Sequence, residues 1–165
     1  MNGMHAHGMD TQPVTMAVSG LLVAVAVPAL IHVTRHRAEW QKVALPAAVV
    51  LPLFLVLHGV ITLTMPLISS LPVHLLLEAL LLCGAILFWL PVMGTRHRLS
   101  DPARSVYLYL AMPLLDLPAV AMVALGHVAG GLAMIVAMLP IGLAALAITW
   151  RWVTAEERLA QAQVE

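Results

Sequence analysis

The residues of this 165-residue chain that could do chemistry are its histidines, its methionines and a few carboxylates. His74 and Glu78 are four apart, a spacing that stacks them on one face of a helix. Imidazole nitrogen suits copper and zinc, and thioether sulfur selects the soft ion Cu(I). The chain opens Met1-Asn2-Gly3-Met4-His5-Ala6-His7-Gly8-Met9-Asp10, with histidines set between methionines. This segment reads as a loading arm for a soft metal, with Met4, His5, His7 and Met9 as ligands. A second, fixed site is expected from His58, His74, Glu78 and His127, with Met65 close by. A histidine ligand needs an acceptor for its other ring nitrogen, and Glu78 or Asp116 is the candidate. Taken singly, His74 and His127 fall where histidine is cheap. His58 alone reads equally as a core histidine bonded to a helix carbonyl. Met112, Met134 and Met138 read as packing.

Other chemistries are excluded. The chain has no nucleophile–base pair, phosphate loop or HExxH motif, so no enzymatic activity is expected. One cysteine, Cys83, rules out an internal disulfide and any CxxC motif. Eight basic residues balance eight acidic ones, so nucleic acid is not an expected partner.

The elements that must position these residues follow from composition. Apolar residues make up 62% of the chain and charged residues 10%, against about 45–50% and about 25% in soluble domains. The partner this implies is the lipid bilayer. A helix needs about 20 apolar residues to cross it, and five segments qualify: residues 13–33, 43–64, 73–93, 105–125 and 128–153. The fold expected is all-α, a polytopic bundle of five transmembrane helices over residues 13–153. A His/Met-rich tail (1–12) precedes it, and a helical tail (154–165) extends the last span. The first apolar stretch has no Lys or Arg before it and is longer than a signal-peptide core, so it is expected to remain as a span. Ser100-Asp101-Pro102 marks a helix start, and a tight turn is expected near Gly126. All eight basic residues lie in alternate connections and the C-terminal segment. By the positive-inside rule the N-terminus is then outside and the C-terminus cytoplasmic. This gathers His5, His7, His58, His74 and His127 toward the outer face, with Met16, Met65 and Met122 at similar depth; Asp116 is nearer the midplane.

Several stretches together resemble the cytochrome c oxidase assembly factor family CtaG. They are Val73-His74-Leu75-Leu76-Leu77-Glu78-Ala79-Leu80 followed by Gly84-Ala85-Ile86-Leu87-Phe88-Trp89-Leu90-Pro91, then Leu99-Ser100-Asp101-Pro102-Ala103-Arg104. Met112-Pro113-Leu114-Leu115-Asp116, Gly130-Gly131-Leu132-Ala133-Met134 and Arg151-Trp152 with Glu156-Glu157-Arg158 complete the set, over about residues 55–160. The resemblance implies a multi-pass protein of the bacterial inner membrane, tied to copper supply for haem–copper oxidases. It implies polar functional positions at His74, Glu78 and Asp116. An oxidase subunit or a copper chaperone would be the partner. The chain resembles a short, divergent member: family members have more spans, and an Asp-Gln pair often stands where this chain has Gly126-His127.

Besides a transporter with Asp116 and Glu78 along its path, for which five spans without a repeat are few, two other classes remain open on the sequence. One is a haem b protein, with His58 and either His74 or His127 as axial ligands from facing helices. The other is a non-catalytic accessory subunit of a respiratory complex, or a homo-oligomer, whose glycines allow close helix approach. The threading itself is testable: a cysteine introduced at residue 5 should react with an impermeant maleimide from the outer side. One introduced at residue 160 should react only after the membrane is opened.

Overall fold

The computed structural model describes residues 6–35, 40, 43, 45–94 and 98–163, with side chains from residue 13 onward. Every regular element among them is helical. Helix α1 (Ala6–Leu21) passes through a π-helical turn (Leu22–Ala26) into α2 (Val27–Thr34). Then come α3 (Ala47–Thr64) with a 3-10 turn (Met65–Leu67), α4 (Leu71–Met93), α5 (Asp101–Ala124) and α6 (Val128–Ala162). Five stretches are long and apolar enough to cross a membrane: Pro13–Thr34, Ala47–Leu67, Leu71–Met93, Asp101–Ala124 and Val128–Ala162.

The element boundaries differ from the expected ones for local reasons. Helix α3 starts at Ala47, since Pro46 is held in extended backbone (φ −57°, ψ 134°) at its N-cap. Helix α5 starts at Asp101, with Ser100 at the N-cap as expected. The Ser100 hydroxyl makes no capping bond. Instead the Asp101 carboxylate accepts from Arg98 at 3.1 Å and pairs with Arg104. The backbone of residues 6–12, expected as part of the tail ahead of the first span, is helical. Met4 and His5 lie outside the described residues. Residues 154–162 continue α6, as expected.

The spans close into a ring. Helix α6 packs on α1 and α5, α5 also on α3, α3 on α4, and α4 on α2. The first span therefore meets two different neighbours along its length, and its π-helical turn is where it changes between them. Pro28 explains the turn. It has no N–H to continue an α-helical ladder, and the Val27 N–H turns back to the Leu22 carbonyl. The Val23 carbonyl is thereby left without a backbone donor from its own helix. Trp89 Nε1–H of α4 donates to it at 2.9 Å. In a membrane-spanning segment such a carbonyl has no water to turn to.

Around Trp89 the core is aromatic. Phe88 packs against Phe54 (ring centres 4.9 Å apart), Trp89 (5.6 Å) and Tyr107 (5.2 Å). The Tyr107 hydroxyl donates to the Phe88 carbonyl at 3.0 Å. The outer surface of the ring carries exposed Val and Leu side chains, as a lipid-facing surface requires.

Helices α5 and α6 are joined by a turn at Gly126, whose φ of 92° suits a residue without a side chain. They then pack very closely. A Cβ at Gly131 would stand 2.5 Å from the Ala119 carbonyl oxygen, a distance only a backbone shift could relieve. Gly131→Ala should therefore destabilise the bundle by about 1–3 kcal/mol, read as a lowered thermal unfolding midpoint in detergent. An unchanged midpoint would mean the α5–α6 contact is looser than described.

Candidate metal centre

The structure distributes the sequence-predicted ligands over separate environments. His58, on α3, is fully buried. Its ring centre lies 6.0 Å from that of Phe54, and its polar neighbour is the Leu115 backbone of α5, outside strict hydrogen-bond geometry. His74 is half-buried in the first turn of α4. His127 is exposed at the N-cap of α6, where its backbone N–H donates to the Met122 carbonyl at 2.9 Å. Among the described residues, no three His, Cys, Asp or Glu side chains lie close enough to hold one ion. The expected grouping of His58, His74, Glu78 and His127 is thus not assembled. The physical reason is rotation. Spans that are apolar all round do not encode which face turns inward, and here His58 faces the core while His127 stands outside the packed helices.

Asp116 is separate again. On α5 it stands four residues after Met112 and seven before Val123, hence on their face. Met112 lies against Gly142 and Val123 against Gly131, so this face is the one turned to α6. Asp116 Oδ1 is buried there without a partner among the described residues.

Glu78 has a different setting, and it builds the candidate centre. The Ser19 hydroxyl of α1 donates to Glu78 Oε2 at 2.8 Å. Glu78 Oε1 is buried without a partner among the described residues. Beside the carboxylate is a cavity of about 30 Å³ whose wall includes Met16, Met65 and Met134. Thr15, Ser19 and Thr62 complete its polar lining. The four potential ligands come from four places in the chain: α1, the 3-10 turn after α3, α4 and α6. Met16 and Met134 are buried and Met65 partly so. Such a space holds one water or one ion, not a larger ligand.

Met65 and Glu78 are among the sequence-predicted ligands, and Met16 shares their expected depth. Met134 reads as packing from the sequence. Its part in this wall depends on how α6 is rotated against α1, which the pattern of apolar residues does not record.

Comparison with protein-family models, curated proteins and solved structures finds no match to this chain.

The buried imidazole generates its own prediction. A buried polar group with only a poorly aligned partner, as His58 has in the Leu115 backbone, weighs against stability by about 1–3 kcal/mol, and an apolar replacement of similar size removes that penalty. His58→Leu should therefore keep or raise the unfolding midpoint in detergent. A clear fall would mean the imidazole has a partner that stabilises it.

Proposed function

We propose that the chain is a copper-binding membrane protein that holds Cu(I) between Met16, Met65, Met134 and the Glu78 carboxylate. The observation that carries this reading is the composition of the small cavity: three thioethers and one carboxylate around a space of about 30 Å³. Thioether sulfur is the ligand type that favours Cu(I) over zinc or Cu(II). Charge favours the same ion. A cation inside a bundle needs a compensating charge, and one carboxylate neutralises a monovalent ion but leaves a divalent one with excess charge. Glu78 is suited to the part, because Ser19 holds one oxygen and the other is unengaged among the described residues.

In this reading the centre lies at the end of the bundle away from the arginines, the outer side of a bacterial inner membrane by the positive-inside rule. The segment with Met4, His5, His7 and Met9 precedes α1 or forms its first turns and delivers the ion toward Met16. The protein handles copper without catalysis and passes it on for haem–copper oxidase assembly. A copper chaperone or an oxidase subunit is its partner, in keeping with the motif resemblance around His74 and Glu78.

The experiment is a Cu(I) titration of the purified full chain under anaerobic conditions, against a chromophoric Cu(I) chelator. One Cu(I) per chain is expected in the wild type. Exchange of Met16, Met65 and Met134 for leucine, which keeps volume, should abolish that equivalent. Exchange of His58, His74 and His127 for alanine should leave it intact. Ser19→Ala, which frees the carboxylate to turn, should weaken binding by about 10–100-fold. Full stoichiometry and affinity in the leucine variant would remove the thioether centre.

A further inference from the structure

We infer that the opposite end of the bundle is a binding cleft for the headgroup of an anionic phospholipid. It is independent of the metal centre. The first span diverges from α6 below its π-helical turn: α1 and the turn pack on α6, whereas α2 packs on α4. The divergence leaves a cavity of about 490 Å³ between α2, α4, α5 and α6, within the size range of ligand sites. Arginines from four places in the chain line it: Arg35 at the end of α2, Arg98 ahead of α5, Arg104 in its first turn and Arg151 on α6. His32 joins them.

Among these cations, Arg98, Arg104 and Arg151 are only partly neutralised by the described residues. Asp101 accepts from both Arg98 and Arg104, so one carboxylate serves two guanidinium groups. Arg104 also donates to the Val92 carbonyl at 3.2 Å, tying it to the end of α4, and its Nε is buried without a partner among the described residues. Arg151 has no carboxylate partner among those residues. Several guanidinium groups converging on one space match a phosphate, whose oxygens accept their forked donors.

The remaining wall identifies the phosphate as a lipid's. Ile31, Trp89, Ala144 and Ile148 line the same cavity. A free phosphate ion has no use for an apolar wall, whereas a phospholipid places its phosphate among arginines and its glycerol and first methylenes against such side chains. Basic pockets between transmembrane helices hold anionic headgroups in this way.

The test is native mass spectrometry of the full chain released from detergent, after addition of phosphatidylglycerol or phosphatidylcholine. A retained phosphatidylglycerol adduct and little phosphatidylcholine are expected. Arg98→Gln and Arg151→Gln should each weaken retention by about fivefold. Arg158→Gln, two turns further along α6 and outside the cavity, should bind as the wild type does; all three residues are exposed, so the fold should survive their exchange. Equal retention of the two lipids would overturn the inference, as would undiminished binding when Arg98 and Arg151 are replaced together. Displacement of the lipid by millimolar inorganic phosphate would instead assign the cleft to a soluble anion and overturn the lipid assignment.

Discussion

The hydrogen bond from the Trp89 indole to the Val23 carbonyl, 2.9 Å long, holds together the most demanding part of this chain. Pro28 interrupts the ladder of the first span, and the π-helical turn moves the break to a carbonyl that α4 can reach. In lipid an unmatched carbonyl weighs several kcal/mol against the fold. The tryptophan therefore does more than fill space among Phe88 and its neighbours. It fixes the point at which the first span leaves α6 and joins α4. Above that point α1 brings Ser19 to Glu78 and Met16 to the small cavity. Below it, the separation of α2 from α6 opens the arginine-lined space.

How much of this could be read in the sequence depended on which property was asked for. Span number and approximate ends were legible, because hydropathy over some 20 residues is a one-dimensional quantity. Ser100-Asp101-Pro102 marked the start of α5 and Gly126 its end for equally local reasons. The contents of each site were not legible. His58 and Glu78 lie in apolar segments, but only helix rotation decides that the first meets Phe54 and the second meets Ser19. A strand or an amphipathic helix advertises its inward face; these spans, apolar on every side, do not. Met134 illustrates the result: its chemistry was visible and its neighbours were not.

Four residues of the spans hold a buried polar atom without a well-formed hydrogen bond among the described residues: His58, Glu78 at Oε1, Arg104 at Nε and Asp116 at Oδ1. They are not equivalent. Glu78 adjoins a space and three sulfur atoms' worth of potential ligation, while His58 meets the Phe54 ring in the core, Arg104 is tied through its other nitrogens to Asp101 and the Val92 carbonyl, and Asp116 faces the tight α5–α6 seam. Isolation of a polar group marks a position as unusual; only its surroundings give it a chemical meaning.

Helix α6 runs unbroken for 35 residues from Val128 to Ala162. Met134 is in the wall of one cavity and Arg151 in that of the other, separated by 17 residues, or about 26 Å of helix. One helix thus forms part of both chambers, with Pro140 between them removing a rung of its hydrogen-bond ladder. Proline is where helices bend, so the sulfur-lined and arginine-lined mouths share one backbone with a weak point between them.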